Sequence, residues 1–256
     1  MMKPELLSPA GSMDSLRAAV NSGCDAVYVG GKQFSARQYA GNFDLKELED
    51  ACDYCHLRGV KVYVTVNTVY KDEELKGFLA YIRNLYEMGV DALIMQDAGA
   101  AKLVKEHFPD FPLHASTQMT CNSLADVKYW ESQGFNKIVL SRELSGPEIK
   151  EICANSPIEI EVFGHGALCM CYSGQCYLSA AIGGRSGNRG RRAQPCRQSY
   201  GYNRWENKYP LSLKDNCLVD YVKELEAMGV ASLKLEGRMK KPEYVATVTA
   251  VYRRAI

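Results

Sequence analysis

The chain has no apolar run approaching the roughly 18 residues that a membrane-crossing helix requires, so no membrane partner is expected. Its opening, MMKPELLSPA, has neither a basic n-region nor an apolar h-region, so no secretory leader is expected there. Charge of one sign is not in excess. With 31 Lys and Arg against 30 Asp and Glu, the formal net charge is +1, which excludes inferring general nucleic-acid affinity from charge. Two hydrolase signatures are missing as well. There is no HExxH pair of zinc-binding histidines and no GxSxG nucleophile elbow. Histidine is scarce, with 4 in 256 residues, so a cysteine protease has few bases to choose from; Cys169 with His165 is the conceivable pair.

Cysteine, in contrast, is plentiful, with 10 residues. A chain this long and 46% hydrophobic buries a core without a disulfide scaffold. A reduced, cytoplasmic protein is therefore expected, with thiols in the core or on a metal.

Short β-rich runs alternate with helical patterns along the whole length. ELLSPA precedes SMDSLRAAVNSG, AVYVGG precedes DLKELEDACDYCHLRG, and KVYVTVN precedes EELKGFLAYIRNLYEMG. ALIMQD, LHASTQ, KIVLSREL, IEIEVFGHG and ASLKLEGR continue the series. Many of the helices run into glycine, at Gly23, Gly59, Gly89, Gly134 and Gly229, as C-caps do. Such alternation predicts a parallel sheet with crossover helices. Eight strong strands predict a closed α/β fold, a TIM-type (β/α)8 barrel, in one domain over residues 1–256. An irregular Cys- and Arg-rich insertion over 164–217 follows strand seven. A ninth candidate strand near SLKDNC lies either outside the barrel or in it as the eighth.

Period-two alternation assigns faces. Val62, Val64, Val66, Leu113, Ala115, Ile158, Ile160, Leu233 and Leu235 belong to the helix-facing set. Asn67, His114, Gln118, Glu161, His165, Lys234, Glu236 and Arg238 belong to the inward set. A polar, charged lumen is therefore predicted. It is either neutralised for structure, with Lys234 and Arg238 pairing Glu161 and Glu236, or it is a polar ligand site at the strand C-termini, where barrel enzymes work.

The cysteines divide. Cys24, Cys52, Cys55 and Cys153 read as small core residues; the CDYC pair is mid-helix, which disfavours redox work. Cys121 is ambiguous. Cys169, Cys171, Cys176, Cys196 and Cys217 all follow strand seven in loops, where thiolates can converge on zinc or on an iron–sulfur cluster. Their irregular spacing disfavours zinc, but spacing alone leaves both metals open.

The stretch EVFGHGALCMCYSGQCYLS resembles the signature of the collagenase-like peptidase family U32, matched at Glu161, Phe163, Gly166, Ala167, Leu168, Cys169, Gly174, Cys176, Leu178 and Ser179. LLSPAGSMDSLRAAVNSGCDAVYVGGKQFSAR, HASTQ, VLSREL, GRSGNRGRRAQPCR, SLKDNC and KLEGRMKKPEYVA resemble further motifs of that family, over nearly the whole chain. The resemblance implies one of two activities. Some members are named for proteolysis on peptides; others are iron–sulfur proteins that hydroxylate tRNA, ribosomal RNA or a quinone precursor without dioxygen, some with prephenate as oxygen donor. Carried over by motif, Cys169, Cys176, Cys196 and Cys217 would hold a [4Fe–4S] cluster, zinc being the alternative, with Cys171 a bystander. Arg192 stands where many relatives have a further cysteine. Relatives also commonly continue into a small C-terminal domain, expected to be absent here.

Under the hydroxylase reading, His165, Glu161 and Glu143 are the candidates for moving protons. Arg142, Arg189 and Arg238 are candidates to clamp a dicarboxylate donor, because a guanidinium fork matches carboxylate geometry. Asn67, His114, Gln118 and Glu236 complete the expected substrate-binding set, and the arginine-rich loop is a candidate for RNA phosphate.

Overall fold

The computed structural model describes residues 3–37, 40–202 and 205–256. Eight parallel strands close a barrel: β1 (Glu5–Pro9), β2 (Ala26–Gly30), β3 (Lys61–Val66), β4 (Ala92–Met95), β5 (Leu113–Ala115), β6 (Lys137–Val139), β7 (Glu159–Gly166) and β11 (Ser232–Leu235). β1 to β7 pair in sequence order, and β11 lies between β7 and β1. Between β7 and β11 come a hairpin, β8 (Tyr200–Tyr202) with β9 (Trp205–Lys208), and β10 (Asn216–Cys217). β10 is the ninth candidate strand. It adds antiparallel to β7, outside the closed circuit.

Helices α1 (Met13–Asn21), α2 (Leu45–His56), α3 (Asp72–Glu87), α4 (Ala98–His107), α5 (Leu124–Ser132) and α6 (Gly146–Asn155) follow β1 to β6. α7 (Leu178–Gly183) is a single short helix inside the insertion, and α8 (Val222–Met228) and α9 (Pro242–Ala255) flank β11. The helix ends are set locally. Asp44 and Glu47 form a capping box at the start of α2, Ser123 and Asp126 one at α5. The five expected C-cap glycines all take positive φ. Among the described residues no helix is long and apolar enough to cross a membrane.

The core is a shell between sheet and helices. Val62, Val64, Val66, Leu113, Ala115, Ile160, Leu233 and Leu235 all belong to it, as the alternation predicts, with Ile158 packed at its edge. The lumen is less uniformly polar than predicted. Leu7, Ala26, Tyr28, Tyr63, Ala92 and Ile94 form a separate apolar cluster inside it, because β1 to β4 contribute apolar and aromatic inward side chains. β1, β6, β7 and β11 supply the charge. Lys234 pairs with Glu161 at 2.9 Å, both almost fully buried. Lys137 pairs with Glu5 at 2.8 Å and Glu159 at 3.1 Å. Ser232 Oγ lies within 3.1 Å of Glu5 Oε1 and 3.0 Å of Glu161 Oε2, so its one hydroxyl proton bridges the two pairs into one network.

His165 departs from the expected face. The β7–β11 register shifts after Phe163: Phe163 is opposite Lys234, but His165 is opposite Leu235, leaving Gly164 as an extra residue. This bulge reverses the alternation. Phe163 stays inside, and His165 turns outward against the Tyr244 and Tyr252 rings of α9.

Candidate active site

The strand C-termini carry a cluster of arginines around one carboxylate. Arg142, after β6, donates to Glu236 Oε2 at 2.7 Å and lies 3.7 Å above the Phe163 ring. Arg37, after β2, reaches Glu236 Oε1 at 3.4 Å. Arg238 does not pair with Glu236. It is 9% exposed and donates to Ser35 and Thr65 at 3.0 and 2.9 Å. Burial, then the nearby Arg37, lowers its pKa to about 10. A methyl at Gly30 would come 2.3 Å from its Nη1, so glycine there leaves room for the guanidinium. Beneath it Tyr28 fills the lumen, its hydroxyl donating to Leu235 O at 2.9 Å.

A second wall of the mouth is neutral. Asn67 donates to Ser116 Oγ at 3.2 Å, and Gln118 donates to Asn67 O at 3.3 Å. Gln96 donates to Gln118 O and accepts from Asn188 of the insertion at 2.6 Å. Asn67, Gln118, Arg142, Glu236 and Arg238 therefore gather at the strand C-termini as expected.

Four other expected residues have different positions or partners. His114 lines, with Tyr63 and Lys137, a cavity of about 750 Å³ that opens at the strand N-termini, away from the arginines. Its Nδ1 is buried without a partner, and burial beside Lys137 and Lys234 keeps its pKa well below the usual histidine value. Arg189 is already committed, forming a two-pronged bridge to Glu74 of α3. Glu143 accepts from Ser173 N at 2.7 Å and Ser173 Oγ at 3.0 Å, so it anchors the cysteine loop. Glu161 is inward, but below the mouth and neutralised by Lys234.

The insertion is thus strapped across the mouth. Besides Ser173 and Arg189, Thr120 donates to Ser173 O at 2.8 Å, Gln175 to Thr120 at 2.8 Å, and Val69 N to Asn188 at 3.0 Å. Two glycines of the matched signature are explained by this packing. Gly166 has φ +120°, and a Cβ would lie 2.6 Å from that of Glu236; Gly174 has φ +82°, and a Cβ would lie 2.5 Å from Gln118 O.

All ten cysteines are free. Burial pushes the Cys52, Cys55 and Cys121 thiols up to about 12 and Cys153 to about 11. In the insertion, burial and then the Cys176 and Cys169 thiols raise the pKa of Cys171. Cys171 therefore sits among its neighbours rather than apart from them. Arg192 lies beside Cys169 and Cys176. Its Nε is buried without a partner, and burial, then Arg37, lowers its pKa to about 10. Cys217 pairs with His165 across β10 and β7. Tyr252 ties that pair down, donating to Gly164 O at 2.6 Å and accepting from Leu218 N at 2.9 Å. Burial lowers the His165 pKa, with Asp215 opposing, and its Nδ1 has no partner. Among the described residues, no group of three or more His, Cys, Asp or Glu side chains is gathered as a metal site. In donor chemistry the loop thiols do fit a thiolate-held group: soft, free, and beside a buried cation with an unused donor.

Sequence reasoning missed Arg37, Lys137 and Glu5, and singled out Arg192 only as a departure from relatives. Arg37 lies in an irregular loop, and Glu5 precedes an apolar run, so neither had a periodic signal. The interest of Arg192 is visible only once the fold sets it beside two thiols.

A TIM-type barrel with a cysteine-bearing strap over an arginine-lined mouth is the architecture of this protein. The family model described as Peptidase family U32 matches residues 11–256, and the chain belongs to that family. It is 37% identical to a tRNA hydroxylation protein of Bacillus subtilis, over 99% of this chain and 63% of that one. It is 43% identical to a 23S rRNA 5-hydroxycytidine synthase of Escherichia coli, over 98% of this chain and 39% of that one. It is 35% identical to a collagenase of Porphyromonas gingivalis, over 98% and 65%. The chain spans 39 to 68% of the length of the curated relatives it matches. The solved structure of the U32 peptidase Mk0906 shares the fold, with TM-score 0.63 over 92% of this chain and 94% of that one at 14% identity.

Proposed function

We propose that this chain is the core of an iron–sulfur-dependent, dioxygen-independent cytoplasmic hydroxylase acting on a tRNA or rRNA base, with prephenate as a candidate oxygen donor. The observation that carries the reading is the arginine cluster at the mouth. Arg37 and Arg142 share one carboxylate, and Arg238 is held beside them by the hydroxyls of Ser35 and Thr65 over the Tyr28 ring. The site therefore has cationic capacity left for a dicarboxylate. Full-chain similarity to tRNA and rRNA hydroxylation proteins supports the same reading.

Cys169, Cys176, Cys196 and Cys217 would hold the cluster, with Arg192 offsetting thiolate charge. When bound, such a group supplies one-electron chemistry at the mouth. The chain's own residues do the rest. Arg37 and Arg142 bind and orient carboxylate, with Glu236 fixing both guanidiniums before substrate arrives. Asn67 and Gln118 offer a neutral hydrogen-bonding wall. The strap between Ser173 and Asn188 limits water at the mouth.

Cleavage of peptides is the second reading, supported by the similarity to a collagenase. It requires a thiol activated by a base, and the His165 Nδ1 beside Cys217 has no hydrogen-bond partner. Cys176→Ala, prepared without air, separates the two, because Cys176 is a proposed cluster ligand and not the thiol beside His165. The hydroxylase reading expects loss of visible absorption, iron and all RNA hydroxylation. Melting must confirm the fold, since losing a group bound only by the native state also lowers stability. Folded, iron-free variant that retains wild-type hydroxylation, or that cuts collagen-like peptides at the wild-type rate, overturns the proposal.

A further inference from the structure

The segment 164–217 is chemically unlike the rest of the chain. It carries eight Lys or Arg and two Asp or Glu, a net charge of +6, which leaves −5 on the remainder. It also holds eight of the sixteen large apolar side chains exposed among the described residues. Tyr172, Tyr177 and Tyr209 are 63, 71 and 61% exposed, and Met170 and Ile182 accompany them. Outside the segment, Tyr86 donates to Asp110 and Tyr129 packs edge-on against Trp130, while Tyr221 is exposed as well.

The strap is anchored at Ser173, Gln175, Asn188 and Arg189, so these rings sit on a fixed layer over the mouth. Exposed rings and positive charge on one fixed layer match a ligand with flat apolar faces and a polyanionic backbone. Unpaired nucleic acid has both; a duplex hides its base faces. An anionic membrane would also attract the charge. However, α7 spans only six residues, far short of an interfacial amphipathic helix.

We propose that segment 164–217 is a docking surface for unpaired RNA, with Tyr172 and Tyr177 stacking on bases and Arg191, Lys208 and Lys214 facing phosphates. The proposal rests on the RNA-hydroxylase reading and deepens it. Because the layer covers the mouth, a strand stacked on it runs past the arginine cluster. The RNA presented there is a loop or other single-stranded element, with the reacting base already unstacked.

The test is fluorescence anisotropy on the whole chain, using a labelled unstructured RNA oligonucleotide and the same sequence annealed into a duplex. Wild type is expected to prefer the single strand. Tyr172→Ala with Tyr177→Ala is expected to weaken single-strand binding by about tenfold per ring, with duplex binding and melting temperature unchanged. Tyr172→Trp with Tyr177→Trp is expected to restore it, and Tyr129→Ala to leave it unaltered. Arg191→Gln with Lys214→Gln is expected to flatten the slope of log K against log salt by about 0.7 per cation removed. Wild-type single-strand affinity in the double alanine variant overturns the docking surface alone. So does equal wild-type affinity for duplex, or vesicle binding that depends on the tyrosines while RNA binding does not. If wild type binds neither RNA, the hydroxylase reading falls with it.

Discussion

Arg142 and Glu236 meet at 2.7 Å across the barrel mouth, from loops 94 residues apart in sequence. The guanidinium lies flat on Phe163 while its edge meets the carboxylate. Two constraints thus fix one side chain where Arg37 and Arg238 also converge. Arg142→Lys keeps the charge but loses the planar fork and the stacking. Under the proposed hydroxylase function, the expected outcome is a loss of about 100-fold in hydroxylation, the scale of a misplaced binding group, with little change in melting temperature. Unchanged single-turnover rates would remove Arg142 from the site.

The buried Lys234–Glu161 pair is a matter of stability rather than binding. Lys234→Met strands a carboxylate that is 1% exposed, and an uncompensated buried charge costs about 3–5 kcal/mol. Denaturant unfolding is expected to show that loss, and Glu161→Leu combined with Lys234→Met is expected to recover much of it. A double variant as unstable as the single one would mean that Ser232 and Glu5 matter more than the pair.

The Arg189–Glu74 bridge makes the strap acid-sensitive. Arg189 holds the Glu74 pKa at about 2, below its ordinary 4.5. A depressed carboxyl contributes stability above pH 4.5 and loses it as pH falls towards 2. Glu74→Gln is therefore expected to melt below wild type at neutral pH, with the difference shrinking between pH 4.5 and 2. A difference that is constant over that window would show the bridge to be idle. Surface exposure of about one third keeps the effect small.

Thiol reactivity is expected to divide as the cysteines do. Folded protein freed of any bound cluster, treated with a thiol reagent and analysed by mass, should take label at Cys169, Cys171, Cys176, Cys196 and Cys217. Cys24, Cys52, Cys55 and Cys121 are buried with raised pKa values and should label only on unfolding. Early labelling of Cys52 or Cys55 would reopen a redox role for that pair.

The barrel itself was legible because its signals are local and repeated. Branched residues alternating as in KVYVTVN, and glycines closing helices at Gly23 and Gly229, need no knowledge of distant neighbours. The same alternation assigned Lys234 and Glu161 to the lumen, where they pair. It failed at His165, since one extra residue at Gly164 reverses the face of everything after it, and a bulge carries no periodic mark.

The long signature around Cys169 and Cys176 was sufficient to identify the family, because its residue types and spacing are read along the chain. Which arginine meets which carboxylate was not readable that way. Arg189 had the composition of a substrate clamp and is spent on Glu74; Arg37 had no distinguishing pattern and faces Glu236. His114 alternates correctly yet lies at the opposite end of the lumen from Arg238, because height along a barrel depends on strand tilt and register across several strands. Sequence by itself determined the periodic elements, their faces and the thiol-rich loop, all set by near neighbours. Only the tertiary structure decided ion-pair partners and depth in the lumen, because those depend on residues brought together from strands and loops far apart in the chain.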